Sequence, residues 1–215
     1  RRAQERGEAV LALATEHGFP FLAVVARAVR GWADARSGRG EAGVAAIRQS
    51  LDAWAATGTG MQRSHLLAML AEACGRAGQI EEGLDVVDEA LAFVERSGER
   101  NCEAELHRLR AELLHMVGDP AGAEESLHQA VGVARHQKAR SWELRATLDL
   151  CRLWREQGKV DEARTRLSDQ LESLERKVGR LRLPESFAPL VYTLRLHIDV
   201  VRSRYLASRA NPAKP

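Results

Sequence analysis

Apolar positions along the chain fall on a helical beat. Between 79 and 97, Leu84, Val87, Leu91 and Val94 recur at i, i+3, i+7 and i+10, the single stripe of an amphipathic helix. Between 101 and 117, Leu106, Leu109, Leu113, Leu114 and Val117 repeat that stripe, and Glu105, Arg108, Glu112 and His115 fall on the opposite face. No stretch sustains period-2 alternation with β-branched residues, so no sheet is predicted.

The helices repeat. Gly38, Gly78, Gly118 and Gly158 are spaced 40 residues apart, and Gly18, Gly58 and Gly98 form a second series halfway between, with Lys138 in its next slot. These glycines stand where helices should end, because glycine enters the left-handed conformation of a helix C-terminus without a Cβ penalty. Asp119-Pro120 adds a start signal, an N-cap acceptor followed by proline in the first turn. Two further series stay small, Gly31, Ala71, Ala111, Cys151 and Gly43, Gly83, Ala123, Ala163. Glycine inside a helix costs about 0.5–1 kcal/mol relative to alanine, so its recurrence in register predicts close backbone approach where two helices of a hairpin cross. Each hairpin exposes an apolar stripe until the next one covers it, which is the logic of a solenoid.

The expected layout is a repeat solenoid over 1–179, made of a half repeat at 1–17 and hairpins at 19–57, 61–97, 101–137 and 141–179. Leu167, Leu171, Leu174 and Val178, then Phe187, Val191, Leu194, Ile198, Val201 and Tyr205, continue as heptad-like seams with a break expected at Gly179 and Pro184. A C-terminal capping helix is expected over 180–208, with a dimerising or docking helix as the alternative, and a disordered tail over 209–215. The chain opens Arg-Arg-Ala-Gln-Glu, without an initiator Met and on half a repeat, which reads as a fragment of something longer.

With 45% apolar and 29% charged residues, the 215-residue chain has the composition of a folded, water-soluble protein. Its longest uncharged apolar run, Phe19–Ala26, falls far short of the roughly 20 residues that cross a bilayer. Three separated cysteines, Cys74, Cys102 and Cys151, form neither a disulfide framework nor a zinc pattern, and fit a reducing cytoplasm as buried fillers. Residues 176–215 carry nine Lys/Arg against Glu185 and Asp199, a local excess of +7 that leaves −5 for residues 1–175. A basic end can mark nucleic acid or an acidic surface, and more often a solvated face beside an acidic neighbour domain.

The spacing Ala71…Gly83…Val87…Ala90, repeated as Ala111…Ala123…Leu127…Ala130, resembles tetratricopeptide repeats lengthened from 34 to 40 residues. That resemblance implies an all-α, right-handed α-solenoid of helix hairpins with a 40-residue period, which the seams would close with a C-terminal helix pair. Phrases such as "RGWADARSGRGEAGVAAIRQSL", "LLAMLAEACGRAGQIEEGLDVVDEAL" and "ARSWELRATLDLCRLWREQGKVDEAR" make residues 1–169 similar to the C-terminal repeat region of large bacterial signal-transduction ATPases. Those proteins often carry a cyclase-like or DNA-binding domain at the N-terminus. The resemblance implies a sensing or scaffolding region, with the ATPase and cyclase chemistry upstream of these residues.

No catalytic motif emerges. Gly38-Arg-Gly-Glu-Ala-Gly43 matches G-x-G-x-x-G as a string but lacks the preceding strand that aims such a turn at pyrophosphate, and no cofactor or metal is expected. Seven histidines tempt a metal reading, yet the pairs His107/His115 and His128/His136 lie eight apart, about 12 Å along a helix, too far to share one ion. They are expected on exposed faces.

What remains is the inner surface. In tetratricopeptide hairpins the first (A) helices line the concave groove, which implies Trp32, Arg36, His65, Glu72, Arg76, Glu105, Arg108, Glu112, His115, Met116, Arg145, Arg152 and Arg155 as groove residues. A mixed groove turning Arg-rich toward its end suits an acidic peptide or a small anionic effector. The competing account is helix solvation through i, i+4 pairs such as Arg108–Glu112 and Arg152–Glu156, worth about 0.2–0.5 kcal/mol each. The expectation is therefore a non-enzymatic cytoplasmic scaffold binding protein or peptide, its own upstream ATPase domain included. A small-molecule effector sensor is the alternative; nucleic acid is disfavoured by the mixed charges, and no membrane association is expected.

Overall fold

A computed structural model describes residues 2–56 and 62–180, and among these the chain forms nine α-helices and no strand. They are α1 (Arg2–Glu16), α2 (Pro20–Arg36), α3 (Gly40–Ala56), α4 (Arg63–Ala77), α5 (Ile80–Ser97), α6 (Glu103–Met116), α7 (Pro120–His136), α8 (Arg140–Glu156) and α9 (Val160–Arg180). The architecture is an all-α repeat solenoid. The chain divides into two compact units, residues 1–146 and 147–215.

Helix ends follow the glycine beat. Gly18, Gly38, Gly78, Gly98, Gly118 and Gly158 all take positive φ, between +68° and +88°, just past a helix end. Lys138 occupies the slot that lacks glycine and adopts the same left-handed conformation, at φ +57°. At the start of α7, the Asp119 side chain accepts a 2.9 Å hydrogen bond from the Gly122 N–H, and Pro120 sits in the first turn.

In the first unit α2 packs on α3, α4 on α5 and α6 on α7, while the first helices of successive hairpins, α2, α4 and α6, lie side by side. A continuous core runs from Val44 and Ile47 through Leu67, Leu70, Val87 and Val94 to Leu106, Leu109 and Leu113. Trp54 is fully buried with Val24 and Leu66, its ring 4.7 Å from that of Phe21. Val86, outside the expected stripe of α5, is also buried, whereas Val117 is 51% exposed rather than part of the stripe of α6.

The α2–α3 crossing is the tightest contact. A Cβ on Gly31 would lie 2.9 Å from the Gly43 carbonyl oxygen, and one on Gly43 would run into the Gly31 oxygen and lie 2.8 Å from Ala35 Cβ. Real Cβ atoms do not approach backbone so closely, so two glycines are what this crossing admits. Gly83 differs: its nearest neighbours are the methyls of Leu113 at 3.1 Å, on the next hairpin, with Cys74 of its own hairpin at 3.4 Å.

In the second unit Leu150, Cys151, Leu153, Ala163, Leu167 and Leu171 are buried. The Cys151 thiol donates to the Ala163 carbonyl at 3.3 Å, so its small slot faces α9 closely. Helix α9 continues through Gly179 to Arg180, so the break expected at that glycine does not fall there. Pro184, the seam from Phe187 to Tyr205 and the tail at 209–215 lie outside the described residues.

Candidate functional site

The 40-residue period sets equivalent positions of neighbouring A helices side by side, so charges one or two helices apart can pair. Glu72 on α4 is the focus. Its carboxylate accepts from the Trp32 indole Nε1 at 2.7 Å and from Arg36 Nη1 at 2.5 Å, both on α2, and its side chain is 9% exposed. The Arg36 guanidinium lies over the Trp32 ring, 5.0 Å from its centroid, a cation–π arrangement. Arg76, one turn along α4, stands 3.9 Å from Glu72 and 3.8 Å from Glu112 on α6.

On α6 the row continues inward. Arg108 donates through Nε and Nη2 to both oxygens of Glu105 and through Nη1 to Glu112, each at 3.0 Å. Arg145 on α8 reaches the same Glu105 at 2.9 Å and lies 5.1 Å above the Trp142 ring. Glu105 and Arg108 are 7% and 6% exposed, so they are not the solvated opposite face that the α6 pattern predicts. Burial is affordable because the pair is bidentate and flanked by further partners. Burial also pushes the Glu105 carboxyl above its ordinary value, against the opposing pull of Arg108 and Arg145.

Trp32, Arg36, Glu72, Arg76, Glu112, Arg108, Glu105 and Arg145 thus form one continuous row across α2, α4, α6 and α8. Its polarity is layered. Glu72 and Glu105 form a buried floor, and Arg36, Arg76 and Arg145 stand above it at 45%, 44% and 46% exposure. The row therefore offers three cations to solvent and buries the carboxylates of Glu72 and Glu105, with Glu112 between these extremes at 30% exposure.

The other expected groove residues have the following surroundings. His65 turns to Cys102, with Nδ1 3.2 Å from Sγ. Burial lowers the His65 pKa, with Glu99 opposing, and raises the Cys102 thiol to about 11, helped by Glu99 and Glu105. A thiol so protonated is a poor nucleophile. His107 is likewise half-buried, with its pKa lowered mainly by desolvation, so neither it nor His65 is an exposed-face histidine. His115 and Met116 are exposed near the end of α6. Arg152, in the second unit, is held by Asp149 at 2.5 Å, and Arg155 is exposed. No three His, Cys, Asp or Glu side chains converge as a metal site among the described residues.

Sequence reasoning missed three features. Glu143, 4% exposed on its side chain, accepts from Arg135 at 2.8 Å and Arg140 at 2.6 Å, and these bonds outweigh burial to hold its pKa below the usual value. Glu99 accepts from the Gln62 N–H at 2.6 Å, the Ser64 N–H at 3.1 Å and the Ser64 hydroxyl, a carboxylate at the N-terminus of α4 supplied by the α5–α6 connection. An open depression of about 700 Å³ is lined by Arg100, Asn101, Glu103, Val133, His136 and Gln137. Arg100, Glu103 and Gln137 there are hydrogen-bonded to one another. Only the recurrence of Trp, Glu and Arg at 36- and 40-residue separations could have announced the row.

The tetratricopeptide repeat family model matches residues 64–89, 104–129 and 144–168. No curated protein matches this sequence. Among solved structures the chain is similar to BtubC (BKLC) from P. vanneervenii, with a TM-score of 0.65 and 14% identity over 100% of this chain and 94% of that one. It is also similar to a Podosopora anserina protein described as a kinesin light chain with nearly identical TPR-like repeats, with a TM-score of 0.58 and 17% identity over 84% and 95%. A third is the Rap protein complexed with competence and sporulation factor, with a TM-score of 0.65 and 15% identity over 92% of this chain and 58% of that one. Identities this low carry the fold alone. Three family matches that start 40 residues apart, on hairpins of that period, make 64–168 a tetratricopeptide-like repeat region.

Proposed function

We propose that this chain is a non-enzymatic repeat scaffold that receives a protein or peptide segment along the faces of its A helices. The observation that carries this reading is the layered row from Trp32 to Arg145, in which α2, α4 and α8 present the exposed arginines Arg36, Arg76 and Arg145 above the buried carboxylates Glu72 and Glu105. Guanidinium forks and tryptophan faces are the groups that recur at protein-binding hot spots. The Rap protein, similar in fold, was solved in complex with competence and sporulation factor, which supports a ligand-binding role for folds of this kind. The resemblance to signal-transduction ATPases supports a place as the regulatory arm of a larger cytoplasmic signalling protein, with its own ATPase domain among the candidate partners. A small anionic effector is the second reading, favoured by Arg36 stacked on Trp32.

Selection of a displayed random-peptide library against the full chain tests the proposal. Enriched peptides should lose binding when Arg36 and Arg145 are both changed to Glu, and keep it when Gln49 and Gln129, exposed on α3 and α7, are changed to Glu. Failure to enrich, or indifference to the A-helix changes, refutes it.

A further inference from the structure

Of the arginines in the row, Arg76 has the most binding capacity left. Arg36 is bonded to Glu72 at 2.5 Å, Arg108 makes three 3.0 Å bonds, and Arg145 lies 2.9 Å from Glu105. Arg76 lies 3.9 Å from Glu72 and 3.8 Å from Glu112, both beyond hydrogen-bond length. Among the described residues its guanidinium makes no hydrogen bond, so two carboxylates hold it in place without saturating its five donors. It is 44% exposed, at the middle of the row.

Arg36 stands beside it. Arg36 Nη1 and Arg76 Nη2 converge on the same oxygen, Glu72 Oε1, at 2.5 Å and 3.9 Å, so the two nitrogens are at most the sum of those distances apart, about 6.4 Å. In an extended chain, side chains at i and i+2 leave the same side and repeat every ~6.6–6.8 Å. Residues i and i+1 point to opposite sides, and i and i+3 do as well.

Resting on the reading that the A-helix faces receive an extended segment, we propose that this segment is acidic. It carries carboxylates at i and i+2, one taken by the unspent donors of Arg76 and the other by the solvent-facing side of Arg36. Glu72 and Glu112 hold the two guanidiniums from below, so the charge-assisted bonds form with little side-chain ordering left to lose.

Fluorescence anisotropy with the full chain and labelled 11-residue Gly/Ser/Ala peptides tests this. The probes carry Glu-Ala-Glu, Glu-Glu, Glu-Ala-Ala-Glu or Gln-Ala-Gln at their centre. The Glu-Ala-Glu peptide is expected to bind about tenfold more tightly than its Gln analogue, a gap that shrinks with added salt. Arg76→Gln should abolish that gap, Arg76→Lys should keep part of it, and Arg152→Gln should leave it intact. Helical circular dichroism monitors the fold of each variant. Equal binding of the Glu and Gln peptides, no binding of Glu-Ala-Glu, or an unchanged gap in Arg76→Gln overturns the proposal. Library peptides that are neutral yet depend on Arg36 and Arg145 would overturn it while leaving the scaffold reading in place.

Discussion

Gly43→Ala opposes two forces whose signs differ. Helix propensity alone favours alanine inside a helix by about 0.5–1 kcal/mol. At Gly43 the added Cβ would run into the Gly31 oxygen and lie 2.9 Å from the Ala35 backbone nitrogen. Neither neighbour is the tip of a flexible side chain, so relief requires α2 and α3 to move apart along a core that includes Val44, Ile47 and Ala35. Overpacking of that kind costs about 1–3 kcal/mol, and the expected net is a destabilisation of about 1–2 kcal/mol. Two glycines of the same chain serve as internal standards. Gly132, in α7, would place its Cβ in open space, so Gly132→Ala should stabilise by about 0.5–1 kcal/mol. Gly83 meets only Leu113 methyls at 3.1 Å and Cys74 Cβ at 3.4 Å, so Gly83→Ala should be near neutral. Urea unfolding followed by circular dichroism at 222 nm should rank the midpoints Gly132→Ala, wild type and Gly83→Ala together, then Gly43→Ala. A Gly43→Ala midpoint raised like that of Gly132→Ala would refute the close-crossing argument.

Lys138→Gly should raise the unfolding free energy by about 0.5–1 kcal/mol, since relief of left-handed strain at φ +57° exceeds the added flexibility of the unfolded chain. Glu72→Gln should cost about 1–2 kcal/mol in the same assay, because a charged acceptor shared by Trp32 and Arg36 becomes neutral. Glu143, whose folded pKa lies below its unfolded one, contributes stability above the ordinary carboxylate range that disappears as pH falls through the folded value. Glu143→Gln should therefore flatten the acid limb of a thermal-melt profile between about pH 5 and 3; an unchanged slope would contradict the assignment.

Local rules made the repeat legible. Glycine ends helices because it lacks a Cβ, and that rule needs no tertiary information, so the 40-residue beat could be read residue by residue. The α2–α3 crossing was legible for the same reason, as paired small residues whose propensity cost demands a compensating contact. The row of charges was not. The sequence places Arg108 and Glu112 on one helix turn, and they do pair, but it cannot assign Glu72 to Trp32 and Arg36 across a helix boundary. Helix phase put Glu105 and Arg108 on the polar side of α6, and the neighbouring A helices buried them. His65 pairs with Cys102 for a similarly non-local reason, a partner 37 residues along the chain.

The layered row has an evolutionary corollary. Since Arg36, Arg76 and Arg145 each answer to a carboxylate on another hairpin, reversing one sign strands a charge one repeat away. Substitutions at 36, 72, 76, 105, 112 and 145 should therefore drift as coupled sets across related chains. Whole-repeat duplication or loss in 40-residue steps would carry donors and acceptors together and restore the pairing in a single event.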